Sequence, residues 1–349
     1  MTPLPLARAT GFKMPDEAEP HARTFMQWPV NRVVHPDPEF LRMLQQSIAD
    51  IANAIAAFEP VVMLMDRSFQ HTARRMLSAG VEIWDIPPDD LWCRDAGPVF
   101  LRRDDHDTSG SRLAALSFNF NGWGNRQTHR NDGQVAARLA ERLQIPLIDS
   151  GLVGEGGGVE TDGHGTLLAH ASCWAHENRN REPLDEIERR LLAALGGKRM
   201  IWAPGVKNLD ITDFHIDALA RFVGPGKVLI QLPERADPAD PISVAAFETH
   251  DILKNARDAE GRPLEVIVIP DPWDTRVTAP DFVASYVNYY VCNGAVIAAR
   301  FGDRDTDAEA RRTLERLYPD REVVTLNVDA IGETGGGIHC ATQQQPALS

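Results

Sequence analysis

A glycine run that ends in a cysteine lies near the end of the 349-residue chain. It reads Gly335-Gly336-Gly337-Ile338-His339-Cys340. Cysteine attacks as its thiolate, and glycine lets backbone approach a substrate where a Cβ would collide. We therefore interpret Cys340 as a candidate nucleophile.

Further short motifs combine reactive side chains with the residues typical of loops and strand ends. Binding and catalysis concentrate on loops that a rigid scaffold presents, so these segments are candidates for the rest of a site. They are Trp92 to Pro98, Asn121-Gly122-Trp123-Gly124, Glu155-Gly156-Gly157-Gly158 and His215-Ile216-Asp217.

His215 and Asp217 are two residues apart. On a strand both side chains would point to one face and Ile216 to the other. We expect such a strand to present an imidazole and a carboxylate together. The alternative is a solvated pair on a surface strand, because H-x-D is short and arises often by chance.

Two more carboxylates are expected on loop backbone. Each glycine costs a helix about 1 kcal/mol, so Glu155, which precedes three glycines, is not in a helix interior; an incidental acid in a glycine turn is the alternative. Asp95 lies beside Arg94. An ion pair that only holds the loop before the strand Val99 to Leu101 is the alternative there.

A zinc site is a competing interpretation of Cys340, with His339, His215 and Asp217 as the other ligands. Structural zinc sites use closely spaced pairs and few carboxylates, so we expect no metal. A buried, inert cysteine is the other alternative, and the neighbouring glycines argue against it. The remaining cysteines have apolar or aromatic neighbours and are interpreted as structural: Cys93, Cys173 and Cys292.

Composition excludes several classes of protein. The chain is 43% hydrophobic and 25% charged, as is typical of soluble globular proteins. Its formal charge of −14 repels nucleic acid and anionic membrane and attracts small cations. No run approaches the ~20 apolar residues of a membrane span, and the N-terminus has no apolar signal region. We expect a cytoplasmic protein with no nucleic-acid or membrane partner.

Hydrophobic periodicity predicts an α/β protein in which helices and strands alternate. The predicted helices are Glu39 to Phe58, Phe69 to Ala79, Asp132 to Leu143, Leu184 to Leu195, Val244 to Ala259 and Asp305 to Leu317. The predicted strands are Val61 to Met65, Val81 to Ile86, Leu113 to Asn119, Met200 to Ala203, Lys227 to Leu232, Leu264 to Ile269, Ala295 to Arg300 and Val323 to Val328. The last five helices begin at intervals of about 50 to 65 residues, which favours five repeated units closing a ring. One doubly wound sheet is the alternative.

Taken together, the motifs resemble the agmatine deiminase family, which includes bacterial peptidylarginine deiminases and belongs to the guanidine-modifying enzymes. The similarity extends over nearly the whole chain. The matching segments are Met14 to His21, Trp28-Pro29, Trp92 to Pro98, Asn121 to Gly124, Glu155 to Gly157, Asn178-Arg179-Asn180, His215 to Asp217, Ser285 to Asn288, Phe301-Gly302-Asp303 and Gly335 to Gln345.

The resemblance implies a pentein fold, a five-bladed α/β propeller with pseudo-fivefold symmetry, in one catalytic domain spanning residues 1–349. It implies that Cys340 is the nucleophile and His215 the general acid and base, and that Glu155 assists in binding and proton handling. It also implies a set of substrate-binding residues: Asp95, Asp217, Trp92, Arg94, Trp123, Asn288 and Gly337.

The activity implied is hydrolysis of agmatine to N-carbamoylputrescine and ammonia, without metal or organic cofactor, by an enzyme that is often a homodimer in this family. Two positions depart from the family pattern: Phe214 replaces a glycine beside the base, and Ala18 stands where tryptophan is usual. These departures bear on the tail of the substrate. Free arginine, peptidyl arginine and other alkylguanidines therefore remain alternatives, as do amidino transfer to an amine and non-catalytic guanidine binding.

Overall fold

Helices and strands alternate along the part of the chain that the computed structural model describes, residues 11–103, 111–279 and 281–348. The strands are β1 (His21–Gln27), β2 (Val61–Met65), β3 (Val81–Asp85), β4 (Val99–Arg102), β5 (Leu113–Ser117), β6 (Leu147–Asp149), β7 (Val159–Thr161), β8 (Thr166–His170), β9 (Arg199–Ala203), β10 (Ala220–Phe222), β11 (Lys227–Leu232), β12 (Glu265–Pro270), β13 (Tyr290–Cys292), β14 (Ala295–Ala299), β15 (Glu322–Leu326) and β16 (Thr342–Pro346). The helices are α1 (Pro38–Ile55), α2 (Gln70–Ala73), α3 (Cys93–Ala96), α4 (Gly122–Asn125), α5 (Val135–Leu143), α6 (Ala171–Trp174), α7 (Leu184–Leu195), α8 (Pro241–Asn255), α9 (Arg304–Leu317) and α10 (Asp329–Gly332).

Within the described residues these strands form five small sheets. One has the strand order β16-β1-β2-β3, and the others have the orders β4-β5-β6, β7-β8-β9, β10-β11-β12 and β13-β14-β15. In most of them an antiparallel pair is followed by a helix and then by a strand parallel to the second strand, as in β7, β8, α7 and β9. The predicted α/β class is confirmed, and so is the repetition of one supersecondary unit.

The helices that belong to these repeats differ from the predicted five. Helix α1 lies between β1 and the parallel strand β2, so it belongs to a repeat although the spacing argument left it out. The predicted helix Phe69 to Ala79 is wrong beyond Ala73. There Asn53 of α1 donates to Met76 O at 2.9 Å and accepts from Ser78 N at 2.7 Å. These bonds to another element use backbone groups that a continuing helix would need.

Helix starts are set by aspartate caps. Asp37 accepts from two backbone N–H groups at the start of α1, where proline occupies the first turn. Asp240 accepts from Ile242 N at the start of α8, and Asp303 accepts from two backbone N–H groups at the start of α9. Each of these helices therefore begins one to three residues earlier than the apolar pattern predicts.

The chain divides into two compact units. The first unit consists of the described residues within Met1–Glu17, Arg94–Val268 and Leu348–Ser349, and the second unit of Ala18–Cys93 and the described residues of Ile269–Ala347. In the first unit Phe118 and Trp174 pack edge to face in a buried apolar cluster, with ring centroids 5.0 Å apart. In the second unit Leu44, Ile48 and Ile51 bury the apolar face of α1.

The described residues contain neither a membrane-spanning helix nor a metal-binding cluster. No described helix combines the length and the apolar character that a bilayer crossing requires. Residues 11–103, 111–279 and 281–348 also contain no group of three or more His, Cys, Asp or Glu side chains arranged to hold a metal ion.

Candidate active site

Five of the predicted site residues occupy corresponding places in the repeats. Each lies two to four residues before the first strand of a repeat, as the strand bounds show. The residues and strands are Asp95 before β4, Glu155 before β7, Asp217 before β10, Asn288 before β13 and Cys340 before β16. The segment just before the first strand of each repeat in the described chain therefore holds one of the predicted site residues.

In the first unit, three of the predicted side chains meet over one glycine. A Cβ built on Gly157 would lie 2.8 Å from His215 Nδ1, 3.0 Å from Asp95 Oδ1 and 3.1 Å from Asp217 Oδ2. Only glycine fits there without displacing these groups. We call the three carboxylates Asp95, Glu155 and Asp217, together with His215 between them, the carboxylate cluster.

Asp95 is held by two N–H donors. Trp123 Nε1 donates to its Oδ2 at 2.9 Å, and Gly157 N donates to its Oδ1 at 3.1 Å. Burial, with smaller contributions from the charges of Glu155 and Asp217, raises the pKa of Asp95 above its ordinary value. The two donors therefore fix the orientation of the carboxyl group. A cation bound beside Asp95, in addition to His215, would stabilise its ionised form.

The turn that presents Trp123 has a left-handed backbone. Trp123 has φ 53° and Gly124 has φ 80°. Asn121 stabilises the turn by accepting from Gly124 N at 2.7 Å and donating to Asn178 O at 2.9 Å. The motif from Asn121 to Gly124 thus points an indole N–H at Asp95.

Glu155 is fully buried against an arginine that was not predicted as a site residue. Arg179 Nε lies 2.8 Å from Oε1 and 2.9 Å from Oε2 of Glu155. Arg179 Nη1 also donates to Asp213 Oδ2 at 2.8 Å. Arg179 stands in the Asn178-Arg179-Asn180 match, which was the only sequence signal for it.

His215 lies between carboxylates on both sides of its ring. Its Nε2 is 3.3 Å from Glu155 Oε2 and its Nδ1 is 3.7 Å from Asp95 Oδ2. Burial lowers the pKa of His215, but Asp95, Glu155 and Asp217 outweigh it and raise that pKa to about 9. The imidazole is therefore a cation at neutral pH and can donate from both nitrogens.

The backbone around His215 is not the predicted strand. Ile216–Ala218 is a 3-10 helix, with His215 just before it. Asp213 and Phe214 both have left-handed backbone, with φ 63° and φ 68°. The side chains of His215 and Asp217 still come together at Gly157. A tight 3-10 turn brings them to the same side of the backbone, as the alternation of a strand was expected to do.

Phe214, at a position where the family resemblance implies glycine, is held by a buried histidine. The rings of His170 and Phe214 stack with centroids 4.7 Å apart, and His170 Nδ1 donates to Phe214 O at 2.8 Å. Burial lowers the pKa of His170 to about 4, so its ring is neutral. These contacts offset the cost of about 1 kcal/mol for a non-glycine residue in this conformation.

In the second unit, Cys340 is partly exposed and lies in a turn packed on Asn288 and Trp92. Asn288 Oδ1 accepts from His339 N at 3.0 Å and from Cys340 N at 3.3 Å, and Asn288 Nδ2 lies 3.2 Å from Cys340 Sγ. A Cβ on Gly337 would lie 2.4 Å from Asn288 Oδ1. One on Gly336 would lie 2.4 Å from Trp92 Cζ3. Glycine is therefore required at these two positions because protein side chains pack closely against the backbone there. From the sequence alone, the approach of a substrate was the expected reason for these glycines.

Comparison with known proteins identifies the family of this chain. The sequence profile of the Porphyromonas-type peptidyl-arginine deiminase family matches residues 13–346. The chain belongs to this family.

Individual members of the deiminase family match over nearly the full length. Agmatine deiminase of Pseudomonas aeruginosa strain LESB58 is 36% identical over 375 residues, covering 99% of this chain and 98% of that protein. Agmatine deiminase of Medicago truncatula is 33% identical and covers 97% of each chain. The solved structure of agmatine deiminase of Enterococcus faecalis superposes with a TM-score of 0.86 at 27% identity, covering 96% of each chain. The resemblance to the agmatine deiminase family is thus confirmed.

Arg94 of this deiminase-family chain belongs to a buried ion network. Its Nη2 lies 3.0 Å from Glu17 Oε2. Glu17 Oε1 also lies 3.0 Å from Arg221, which pairs with Glu160 at 3.0 Å. Arg94 thus forms an ion pair with Glu17, which lies before β1 in the sequence. From the sequence alone, Asp95 was a candidate partner of Arg94.

The other cysteines of the deiminase-family chain differ from Cys340 in exposure. Cys93, Cys173 and Cys292 are buried. Burial raises the pKa of Cys173 well above its ordinary value and that of Cys292 to about 12. Neither of these two is a thiolate near neutral pH, which fits the structural role predicted for them.

Proposed function

We propose that this protein is a hydrolase that cleaves a carbon–nitrogen bond of a guanidine, with agmatine as the substrate and N-carbamoylputrescine and ammonia as products. Its family and its agmatine deiminase relatives at 33% and 36% identity support this reaction. The observation that carries the proposal is the convergence of Asp95, His215 and Asp217 over Gly157.

Carboxylates are what a guanidinium requires. The ion is planar, carries five N–H donors when singly substituted and stays charged at physiological pH. Charge-assisted pairs with oriented carboxylates satisfy several of these donors at once. We assign this role to Asp95 and Asp217, with Trp123 and Gly157 holding Asp95 in place.

The first chemical step is attack by Cys340. Its thiolate forms a bond to the central guanidinium carbon, giving a tetrahedral adduct. The His215 imidazolium then donates its proton to the departing nitrogen, so that the carbon–nitrogen bond breaks and ammonia leaves. A thiouronium on Cys340 remains.

The second step returns the enzyme to its starting state. Neutral His215 takes a proton from water, and the resulting hydroxide adds to the thiouronium carbon. The carbon–sulfur bond then breaks with its electron pair returning to Cys340, and the hydroxyl group loses its proton to solvent, which gives the neutral ureido product. Glu155, anchored by Arg179, accepts from the His215 Nε2–H and keeps the ring in one orientation.

Other assignments from the family resemblance are part of the same proposal. Trp92, Arg94, Asn288 and Gly337 are proposed to shape the substrate site. The fold is proposed to be the five-bladed pentein propeller, in one catalytic domain of residues 1–349. The five small sheets of the described chain and their shared unit support that arrangement.

Two further properties follow from the same resemblance. We propose a cytoplasmic enzyme, to which four free cysteines are suited, in a step of polyamine biosynthesis. We propose a homodimer, which light scattering of the purified protein would test; a monomeric mass at micromolar concentration would contradict it.

The reaction is tested by measuring ammonia and ureido product with agmatine, free arginine and an arginine peptide. Agmatine should be turned over with the highest kcat/KM, and a lower value than for either other substrate would overturn the substrate assignment. Guanidination of an added amine instead of ureido product would indicate an amidinotransferase.

The mechanism is tested separately with Cys340→Ala and with Cys173→Ala as the control for loss of a thiol. Only the first substitution should abolish turnover. Mass spectrometry of the wild-type protein quenched during turnover should find an adduct on the peptide that contains Cys340. Turnover by the Cys340→Ala variant would exclude the covalent mechanism.

A further inference from the structure

The side chain of Asn288 contacts both the backbone and the sulfur of Cys340. It is 1% exposed, and its Oδ1 accepts from His339 N and Cys340 N at 3.0 and 3.3 Å. Since two N–H donors face this atom, it must be the amide oxygen. The amide nitrogen is then the atom that lies 3.2 Å from Cys340 Sγ.

We propose that Asn288 is a catalytic residue that stabilises the thiolate of Cys340 through this N–H···S hydrogen bond. The inference rests on the proposed function of Cys340 as the nucleophile. It assigns Asn288 to the sulfur, beyond the substrate contact that the family resemblance implies.

The two protonation states of the sulfur use the amide differently. A thiol can donate to Asn288 Oδ1, which lies 3.4 Å from Sγ, but a thiol is a weak donor. A thiolate accepts from Asn288 Nδ2, and a hydrogen bond to an ionised acceptor is roughly twice as strong as a neutral one. The amide therefore favours the thiolate.

The position of the amide is fixed from several sides. Asn288 N donates to Ser285 Oγ at 3.2 Å, and Asn288 O accepts from His339 N at 3.1 Å. Gly337 leaves the space in which Asn288 Oδ1 sits, since a Cβ there would come within 2.4 Å of it. The donor is thus held against the sulfur before any substrate arrives, which avoids reorganisation during the reaction.

The bond acts in both chemical steps. During attack the sulfur loses negative charge to the new carbon–sulfur bond, and the hydrogen bond weakens. When the product leaves, the electron pair returns to sulfur and the Asn288 N–H again meets a full negative charge. Asn288 should therefore assist the departure of sulfur as a leaving group, and it should favour attack by keeping a larger fraction of Cys340 ionised.

The test is the pH dependence of Cys340 alkylation by iodoacetamide, an uncharged reagent, followed by mass spectrometry of the Cys340 peptide. Asn288→Asp keeps the acceptor for the two N–H groups, removes the donor to sulfur and adds a negative charge. Asn327→Asp is the matched control, because Asn327 is an exposed residue of the same unit whose Oδ1 accepts from Asp329 N.

Asn288→Asp should move the pH midpoint of alkylation upward and slow alkylation at neutral pH about 10- to 100-fold, the size of one hydrogen bond to a charged group. Asn327→Asp should change neither. A midpoint that stays at the wild-type value in Asn288→Asp would overturn the proposal. Asn288→Ser, which lacks the amide donor and adds no charge, should also move the midpoint upward, and an unshifted midpoint in this variant would likewise overturn the proposal.

Alkylation requires no turnover, so this result is independent of the proposed function. Loss of activity in Cys340→Ala together with an unshifted midpoint in Asn288→Asp would refute the role of Asn288 alone. A shifted midpoint together with an active Cys340→Ala variant would refute the covalent mechanism and leave the Asn288–sulfur bond established.

Discussion

Arg179 connects Glu155, which contacts the imidazole of His215, with the turn that carries His215. Its Nε lies 2.8 and 2.9 Å from the two carboxylate oxygens of Glu155. Its Nη1 reaches Asp213, two residues before His215, at 2.8 Å. A single buried cation thereby sets the distance between a carboxylate and the histidine that it contacts.

Arg179→Gln should destabilise the protein by about 3 kcal/mol, because Glu155 and Asp213 both lose a buried cation, although His215 and Arg126 remain beside them. Urea denaturation measures this loss. Arg189→Gln is the control, since Arg189 pairs with Glu186 on an exposed helix face with 68% of its side chain accessible. Such a surface pair contributes less than about 1 kcal/mol. Equal stability of the two variants would contradict the role of Arg179.

His215 should make the free energy of unfolding depend on alkaline pH. Its folded-state pKa of about 9 exceeds the ordinary value of about 6.5, so folding favours the protonated ring. This contribution is fully present below about pH 6.5 and is lost as the pH rises through 9. The difference in unfolding free energy between wild type and His215→Gln should shrink over that window. A difference that stays constant from pH 6 to about pH 10 would argue against this charge state.

His170 should make the free energy of unfolding depend on acidic pH, in the opposite direction to His215. Its folded-state pKa of about 4 lies below the ordinary value, so its contribution is present above about pH 6.5 and is lost as the pH falls through 4. Ring nitrogen NMR shifts near pH 6 should report a neutral His170 with the proton on Nδ1 and a cationic His215. A cationic His170 at that pH would refute the assignment.

Trp123→Phe should lower kcat/KM about 10- to 100-fold, because Asp95 loses a hydrogen bond that a charged group receives. Steady-state kinetics with agmatine measures the effect. Trp202→Phe removes the same kind of donor, from Trp202 to Glu188 at 2.8 Å, and should leave the kinetics unchanged. Equal kinetics of the two variants would show that Trp123 does not orient Asp95.

Gly157→Ala should reduce activity at least about 100-fold, since misplacing reacting groups by about 1 Å has an effect of that size. The added Cβ would meet three side chains of the carboxylate cluster within 3.1 Å. Gly80→Ala is the control, because its Cβ would have ordinary contacts no closer than 3.5 Å. Full activity of Gly157→Ala, measured as ammonia release, would contradict the crowding seen here.

The sequence predicted much of the local structure. The bounds of α7, β2 and β11 are those expected from apolar periodicity, because these segments follow one pattern from end to end. The three-residue strands, such as β7 and β10, were missed since so short a segment carries no measurable period. The candidate residues, including Cys340 and His215, were recognisable because reactive side chains beside glycine form motifs that can be read in a few residues.

Long-range packing decided which side chains of the motifs contact each other. Arg179 is 24 residues from Glu155 and 34 from Asp213 along the chain, and no local pattern reports that a cation will lie between them. The same is true of Asn288 and Cys340, which are 52 residues apart. By itself the sequence determined the reactive groups, the repeat and the family. Only the tertiary structure placed N–H donors on Asp95, Glu155 and the sulfur of Cys340, because hydrogen bonds act over about 3 Å in space whatever the separation in sequence.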